Sequence, residues 1–256
     1  MWKTISGALE KISSDHQITI LLACESGSRA WQFPSPDSDF DVRFIYVRPY
    51  KYYLSVSDRD YDLGFPINDE LDIYGWDIRK VLQLVRKSNS TVFEWLQSPI
   101  IYAERDSFRN ELWTLCQSFF SQRTNIHHYL GLARGMMQHL TTDNEIPIKK
   151  LFYIIRPLMA AKWCAGKNTI APMTIAPLIA LMPEELKAQV EELIFYKSSA
   201  VEKFVIRITP ALRTYLEQEY EQILLSAVQI EKDYFPIESL DEFFINTITR
   251  YDNQRS

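Results

Sequence analysis

The chain has 256 residues, enough for one large domain or two small ones. Its apolar fraction of 46 %, its 13 % aromatic content and its mere 7 glycines exclude a disordered or fibrous class. With 33 acidic against 28 basic residues the formal net charge is −5, which excludes a global basic field for gripping long nucleic acid and favours a small substrate, a protein target or an RNA end.

Trp2, Ile5, Leu9 and Ile12 recur at helical spacing and predict a helix near 2–14. Lys3, Glu10 and Lys11 interrupt that segment, so it does not read as a signal peptide. An apolar strand is predicted near 17–24. It ends in the small-residue turn Ser26-Gly27-Ser28, followed by a short helix near 28–31. Glycine lets a backbone approach a phosphate closely, and successive N–H groups at such a turn bind anions. The Ser28 hydroxyl adds a donor.

About ten residues later, Ser38-Asp39-Phe40-Asp41 runs into a second predicted strand, 40–47. Side chains at i and i+2 of a strand point the same way, so Asp39 and Asp41 project from one face and Phe40 and Val42 from the other. Two adjacent carboxylates repel unless a cation lies between them, and hard oxygen ligands suit Mg²⁺ or Mn²⁺. Arg43 shares the parity of the two acids, placed either to neutralise phosphate or to pair with Asp41.

After an excursion over 49–68, a strand near 70–76 carries Asp72 on the face opposite Leu71 and Ile73, which makes it the third acid of a metal site. Asp77 precedes the apolar-periodic helix 78–87 and reads as its N-cap. A further helical turn spans 91–96, with Asn89 and Glu94 assigned to capping and packing. Beyond residue 105 the pattern is helical: 106–118, 122–140, 145–165, 174–180, 183–196, 199–226 and 238–250, with Pro210 splitting or kinking the long run. Lys149, Tyr153 and Arg156 stand at i, i+4 and i+7 and share a helix face suited to a triphosphate.

Cys24, Cys116 and Cys164 are far apart and form no zinc spacing; they read as buried reduced thiols of a cytoplasmic protein. The apolar stretch 170–182, broken by Pro172 and Pro177, is too short for a bilayer span. Residues 252–256 read as a frayed tail. The expected organisation is an α+β catalytic domain over 1–105 and an all-helical domain over 106–256 that closes the nucleotide cleft.

Gly27-Ser28, then Ser38-Asp39-Phe40-Asp41, then Asp72 on a later strand resembles the nucleotidyltransferase superfamily that includes DNA polymerase beta. The longer string from Glu25 to Val47 is similar to a bacterial branch related to RNA-repair-associated polymerase-beta-like proteins. The likeness continues through 72–80, 87–99, 128–130 and 149–157. It implies a mixed sheet with flanking helices, then a helical domain. It also implies Gly27 and Ser28 on the triphosphate, with Lys149, Tyr153 and Arg156 as further contacts, and Asp39, Asp41 and Asp72 on metal. One departure is Gln32, which stands where a glycine is expected.

The expected activity is transfer of a nucleoside monophosphate from an NTP to an acceptor hydroxyl (RNA end, protein or small molecule), with release of pyrophosphate. Two other readings stand beside it. One is a nucleotide-binding module without turnover, which should lack one of the acids. The other is a metal-dependent phosphodiesterase built on the same site.

Overall fold

The structure, a computed structural model, describes residues 1–57, 59–66, 70–199 and 204–253. Helix α1 (Trp2–Asp15) buries Ile5, Leu9 and Ile12, the apolar positions of its helical repeat. Strand β1 (Thr19–Glu25), the four-residue helix α2 (Gly27–Ala30) and strand β2 (Phe40–Val47) follow. Next come α3 (Tyr50–Tyr53) and β3 (Asp62–Gly64), elements too short to carry a readable period and not anticipated. The excursion that contains them ends at residues outside the described ones.

Strand β4 (Leu71–Asp77) leads into α4 (Ile78–Arg86), which buries Ile78, Val81, Leu82 and Val85. Helix α5 (Ser90–Gln97) is capped by Asn89, whose Oδ1 accepts from the Thr91 N–H at 3.0 Å. A fifth strand, β5 (Ile101–Glu104), was not anticipated, and α6 (Phe108–Gln117) comes after it. Then follow α7 (Gln122–Met137), β6 (Glu145–Pro147), α8 (Ile148–Lys167), α9 (Ile175–Ile179), α10 (Glu184–Lys197), β7 (Val205–Arg207), α11 (Pro210–Ala227) and α12 (Glu238–Asn253).

The chain divides into two compact units, but not at residue 105. The first holds 1–27, 39–119 and 234–256; the second holds 28–38 and 120–233. A local helical pattern does not reveal which core a helix joins. Helix α12 returns to the first unit and packs on α3, α4 and β2. Its last residues reach Asn253, so part of the expected frayed tail is helical, and 254–256 lie outside the described residues.

The first unit is built on a five-stranded mixed sheet of order β3-β4-β2-β1-β5. Strands β2 and β4 run parallel, and the other neighbours pair antiparallel. Val42, Phe44 and Tyr46 of β2, with Leu71 and Ile73 of β4, join the core that α1 covers. Phe44 lies over Gly75, where a Cβ would fall 2.2 Å from its ring, so glycine there makes room for the aromatic. The second unit is helical around α8, against which α7, α9 and α11 pack. It is not wholly helical, because β6 and β7 form a two-stranded sheet. Of the expected helix over 199–226, residues 200–203 lie outside the described ones and 205–207 are strand β7; helix α11 starts at Pro210, which occupies its first turn behind the Thr209 cap.

Asp77 caps α4 as the sequence suggests, accepting from the Arg79 N–H at 2.8 Å. Its other oxygen accepts from the Tyr53 hydroxyl at 2.9 Å. Burial outweighs these bonds and pushes its pKa up to about 6. A carboxyl raised above its unfolded value stabilises the fold fully below about pH 4, and that contribution is lost as pH rises through about 6. Asp77→Asn is therefore expected to gain on the parent chain by up to about 3 kcal/mol between those two values. Paired urea unfolding curves at pH 4 to 7 check this; parallel pH profiles would refute it.

All three cysteines are buried thiols without a disulfide, and burial raises the Cys24 and Cys164 pKa values to about 12. Among the described residues no helix is long and apolar enough to cross a membrane.

Candidate active site

Parallel pairing of β2 and β4 sets Asp41 directly beside Asp72, with Phe40 beside Leu71 and Val42 beside Ile73. Registered partners point to the same face, so the two acids emerge together, opposite the apolar residues under α1. The alternation predicted for β4 holds: Leu71 and Ile73 are buried, while Asp72 is half-buried between them.

Arg43, two residues beyond Asp41, fills the space between the carboxylates. Its Nη2 lies 2.9 Å from Asp41 Oδ1 and 2.7 Å from Asp72 Oδ2. Its Nη1 donates to the carbonyls of Val42 and Asp72 at 3.1 and 3.0 Å. Both strands are thus joined by one guanidinium, which offsets the mutual repulsion of two acids in register. Of the two roles open to Arg43, pairing is the one seen, and it includes Asp72 as well as Asp41. Asp39 is exposed and stands one residue ahead of β2 rather than inside it. Among the described residues no three acidic, imidazole or thiol side chains stand ready-grouped as a metal shell.

The turn after β1 approaches Asp41 from the other side. Gly27 has φ +60°, and a Cβ there would lie 2.0 Å from Asp41 Oδ2. Only glycine fits that contact. The Ser26 N–H donates to the Asp41 carbonyl at 2.8 Å, and the Asp41 N–H donates to Glu25 Oε1 at 2.9 Å. Glu25 is fully buried and also accepts from the Tyr102 hydroxyl of β5.

Asp41 and Asp72, side by side with the glycine turn pressed against Asp41, are hard oxygen donors of the kind Mg²⁺ or Mn²⁺ takes. In this arrangement Asp41 Oδ1 and Asp72 Oδ2 are engaged by the guanidinium. A cation held by these acids therefore shares them with Arg43 or displaces it.

The loop from Ser28 to Ser38 belongs to the second unit. Ser28 is buried, and its Oγ donates to Ser38 Oγ at 3.1 Å. Arg29 Nη2 donates to the Ser38 carbonyl. The fully buried Lys197 ammonium donates to the Phe33 carbonyl at 2.9 Å and to Ser35 Oγ at 2.6 Å. Gln32, the residue standing where a glycine was expected, has φ +72°. The backbone keeps the left-handed turn that glycine would favour and carries a side chain through it. Gln32→Gly is expected to leave the loop shape intact and to raise stability by up to about 1 kcal/mol, read as a higher urea midpoint.

Lys149, Tyr153 and Arg156 lie on α8, also in the second unit. Lys149 and Tyr153 are half-buried, and the Tyr153 ring meets Trp31 edge-on at 5.3 Å. Arg156 is 3 % exposed. Its Nε and Nη2 both donate to the Met173 carbonyl, and its guanidinium lies 4.4 Å from the centre of the Trp31 ring.

Sequence reasoning missed Glu25 and Lys197. The only signal for Glu25 was an acid closing an apolar strand just before the glycine turn. Lys197, the last residue of α10, carried none, because burial of a lysine depends on a partner more than 160 positions away.

Residues 1–246 match RlaP, the RNA repair pathway DNA polymerase beta family. The chain is 36 % identical over 251 residues to "Uncharacterized protein YcgL" of Bacillus subtilis (strain 168), covering 97 % of this chain and 96 % of that protein. A crystal structure of a nucleotidyltransferase-like protein from Exiguobacterium sibiricum 255-15 aligns with a TM-score of 0.31 and 12 % identity, over 87 % of this chain and 77 % of that one.

Proposed function

The chain belongs to the RNA repair pathway DNA polymerase beta family, and from that premise we propose that it is a metal-dependent nucleotidyltransferase that joins a nucleoside monophosphate to an acceptor hydroxyl. The observation that carries this reading is the pairing of Asp41 with Asp72 in register, with Gly27 closed on Asp41.

In this reading Asp39, Asp41 and Asp72 hold Mg²⁺ or Mn²⁺. The bound ion supplies neutralisation of the triphosphate and of the charge that develops as pyrophosphate departs. Gly27 brings its backbone to the phosphates without a side chain in the way, and Ser28 contributes a hydroxyl. Asp72, through the oxygen that Arg43 does not engage, takes the proton from the attacking hydroxyl. Arg43 keeps the two acids together before substrate arrives. Lys149 and Tyr153 are assigned to the nucleotide. Arg156, spent on the Met173 carbonyl and the Trp31 ring, contributes by holding that surface of α8 in shape. Most of the rate gain comes from positioning and electrostatics, with no covalent intermediate.

The family's association with RNA repair supports an RNA end as the acceptor, beside a protein hydroxyl or a small molecule. The net charge of −5 suits contact with a terminus rather than a long duplex. Buried cysteine thiols fit a reducing, cytoplasmic compartment.

The test is incubation with each α-labelled NTP, Mg²⁺ or Mn²⁺, and a mixture of RNA and protein acceptors. Label is expected on an acceptor, with pyrophosphate released in equal amount. Nucleotide binding without pyrophosphate release across all acceptors would identify a binding module instead. Nucleoside monophosphate released from RNA without any triphosphate would identify a phosphodiesterase.

A further inference from the structure

Glu25 closes β1, and none of its surface reaches solvent. A carboxylate removed from water costs several kcal/mol unless its oxygens are satisfied. Here both are. Oε1 accepts from the Asp41 N–H at 2.9 Å, and Oε2 accepts from the Tyr102 hydroxyl. The Glu25 backbone is held as firmly: its N–H donates to the Ile100 carbonyl at 2.9 Å, and its carbonyl accepts from Ser98 Oγ at 2.7 Å. The neighbouring Ser26 N–H donates to the Asp41 carbonyl at 2.8 Å. Both peptide groups of Asp41 are therefore gripped by the two residues that lead into Gly27.

This arrangement departs from ordinary strand pairing. At the end of the β1–β2 ladder, a side chain rather than a main-chain carbonyl takes the N–H of the acid. Stabilising a strand end does not require an ionisable group in a fully buried place. Fixing one acid against one turn calls for a side chain that accepts from two directions at once, as Glu25 does from the Asp41 N–H and the Tyr102 hydroxyl.

We propose that Glu25 is a positioning residue for the metal-binding acid. Locked by Tyr102, it holds Asp41 and the Gly27 turn as one rigid piece, so the carboxylate and the phosphate-facing backbone keep a constant separation. The proposal rests on the nucleotidyltransferase reading above and adds to it a residue outside the acid set.

The test compares the full-length parent chain with Glu25→Ala, Glu25→Gln and Tyr102→Phe. Circular dichroism first establishes that each folds. Free Mn²⁺ is then followed by electron paramagnetic resonance without nucleotide, and kcat and KM for NTP are measured separately. Glu25→Ala is expected to weaken Mn²⁺ binding and to lower kcat by about tenfold or more, the usual size for a group supporting a metal ligand, while KM changes little. Glu25→Gln retains an oxygen for the Asp41 N–H and is expected to recover most of the Mn²⁺ affinity. Tyr102→Phe is expected to fall between Glu25→Ala and the parent.

A folded Glu25→Ala chain with parental Mn²⁺ affinity and kcat overturns the proposal. If that chain does not fold, Tyr102→Phe decides, since it removes only one hydroxyl: parental Mn²⁺ affinity there overturns it equally. A parent chain that binds no Mn²⁺ and transfers no label overturns the metal reading itself, and this proposal with it.

Discussion

Gly27→Ala is expected to abolish label transfer, by about 100-fold or more, while the chain stays folded. Two penalties fall on the same atom. The residue sits at φ +60°, where an L side chain costs roughly 1–2 kcal/mol. The new Cβ would also lie 2.0 Å from Asp41 Oδ2 and 3.0 Å from Asp41 Cγ, far inside contact distance. Asp41 has little freedom to retreat. Its Oδ1 is bound to Arg43, its N–H to Glu25 and its carbonyl to Ser26. The turn or the carboxylate must therefore shift, and a displacement of about 1 Å at a reacting centre is enough for a loss of this size. Initial rates with labelled NTP, read beside thermal melting, check the prediction. Because both changes strike one contact, Gly27→Ala combined with Asp41→Asn should lose little more than the worse single variant. Full additivity of the two losses would place Gly27 outside the site.

Asp41→Asn and Asp72→Asn are each expected to remove turnover by about 1,000-fold or more, equivalent to roughly 4 kcal/mol of transition-state stabilisation. Asp39→Asn should act in the same direction. Stability should hardly move, for a reason visible at Arg43. The guanidinium and its two acids are 17 %, 31 % and 27 % exposed, so water screens each ion pair to about 1 kcal/mol or less. Removing one charge also relieves the repulsion between Asp41 and Asp72, which partly offsets the lost pair. Rates should thus collapse while urea midpoints stay close to the parent. Retained turnover in either variant would refute the metal assignment, whereas a large drop in midpoint would show that the acids serve the fold instead.

How far the site was legible can be judged residue by residue. Strand parity alone put Asp41 and Arg43 on the face away from Val42 and Phe44, and Asp72 away from Leu71 and Ile73, and the sheet agrees. Apolar spacing located α1 and α4, and Asp77 and Asn89 cap the helices they precede. The glycine pattern broken at Gln32 marked a position that is indeed left-handed. Short pieces failed: α3, β3, β5, β6 and β7 each span only three or four residues and carry no period to detect.

By itself the amino-acid order determined the α+β character of this protein, the faces of its strands and helices, and the residue types able to handle phosphate and metal. All of these depend on neighbours within a few positions, where backbone geometry imposes a period of two or 3.6. Only the tertiary structure decided that β4 lies parallel to β2 with Asp72 beside Asp41, and that Arg43 joins both acids. It alone decided that Glu25 and Lys197 are buried ionisable side chains holding distant backbone, and that α12 returns to the first unit. Each of these is a pairing between segments far apart in the chain. A strand's alternation states which way its side chains point, but not which strand will lie beside it or in what register.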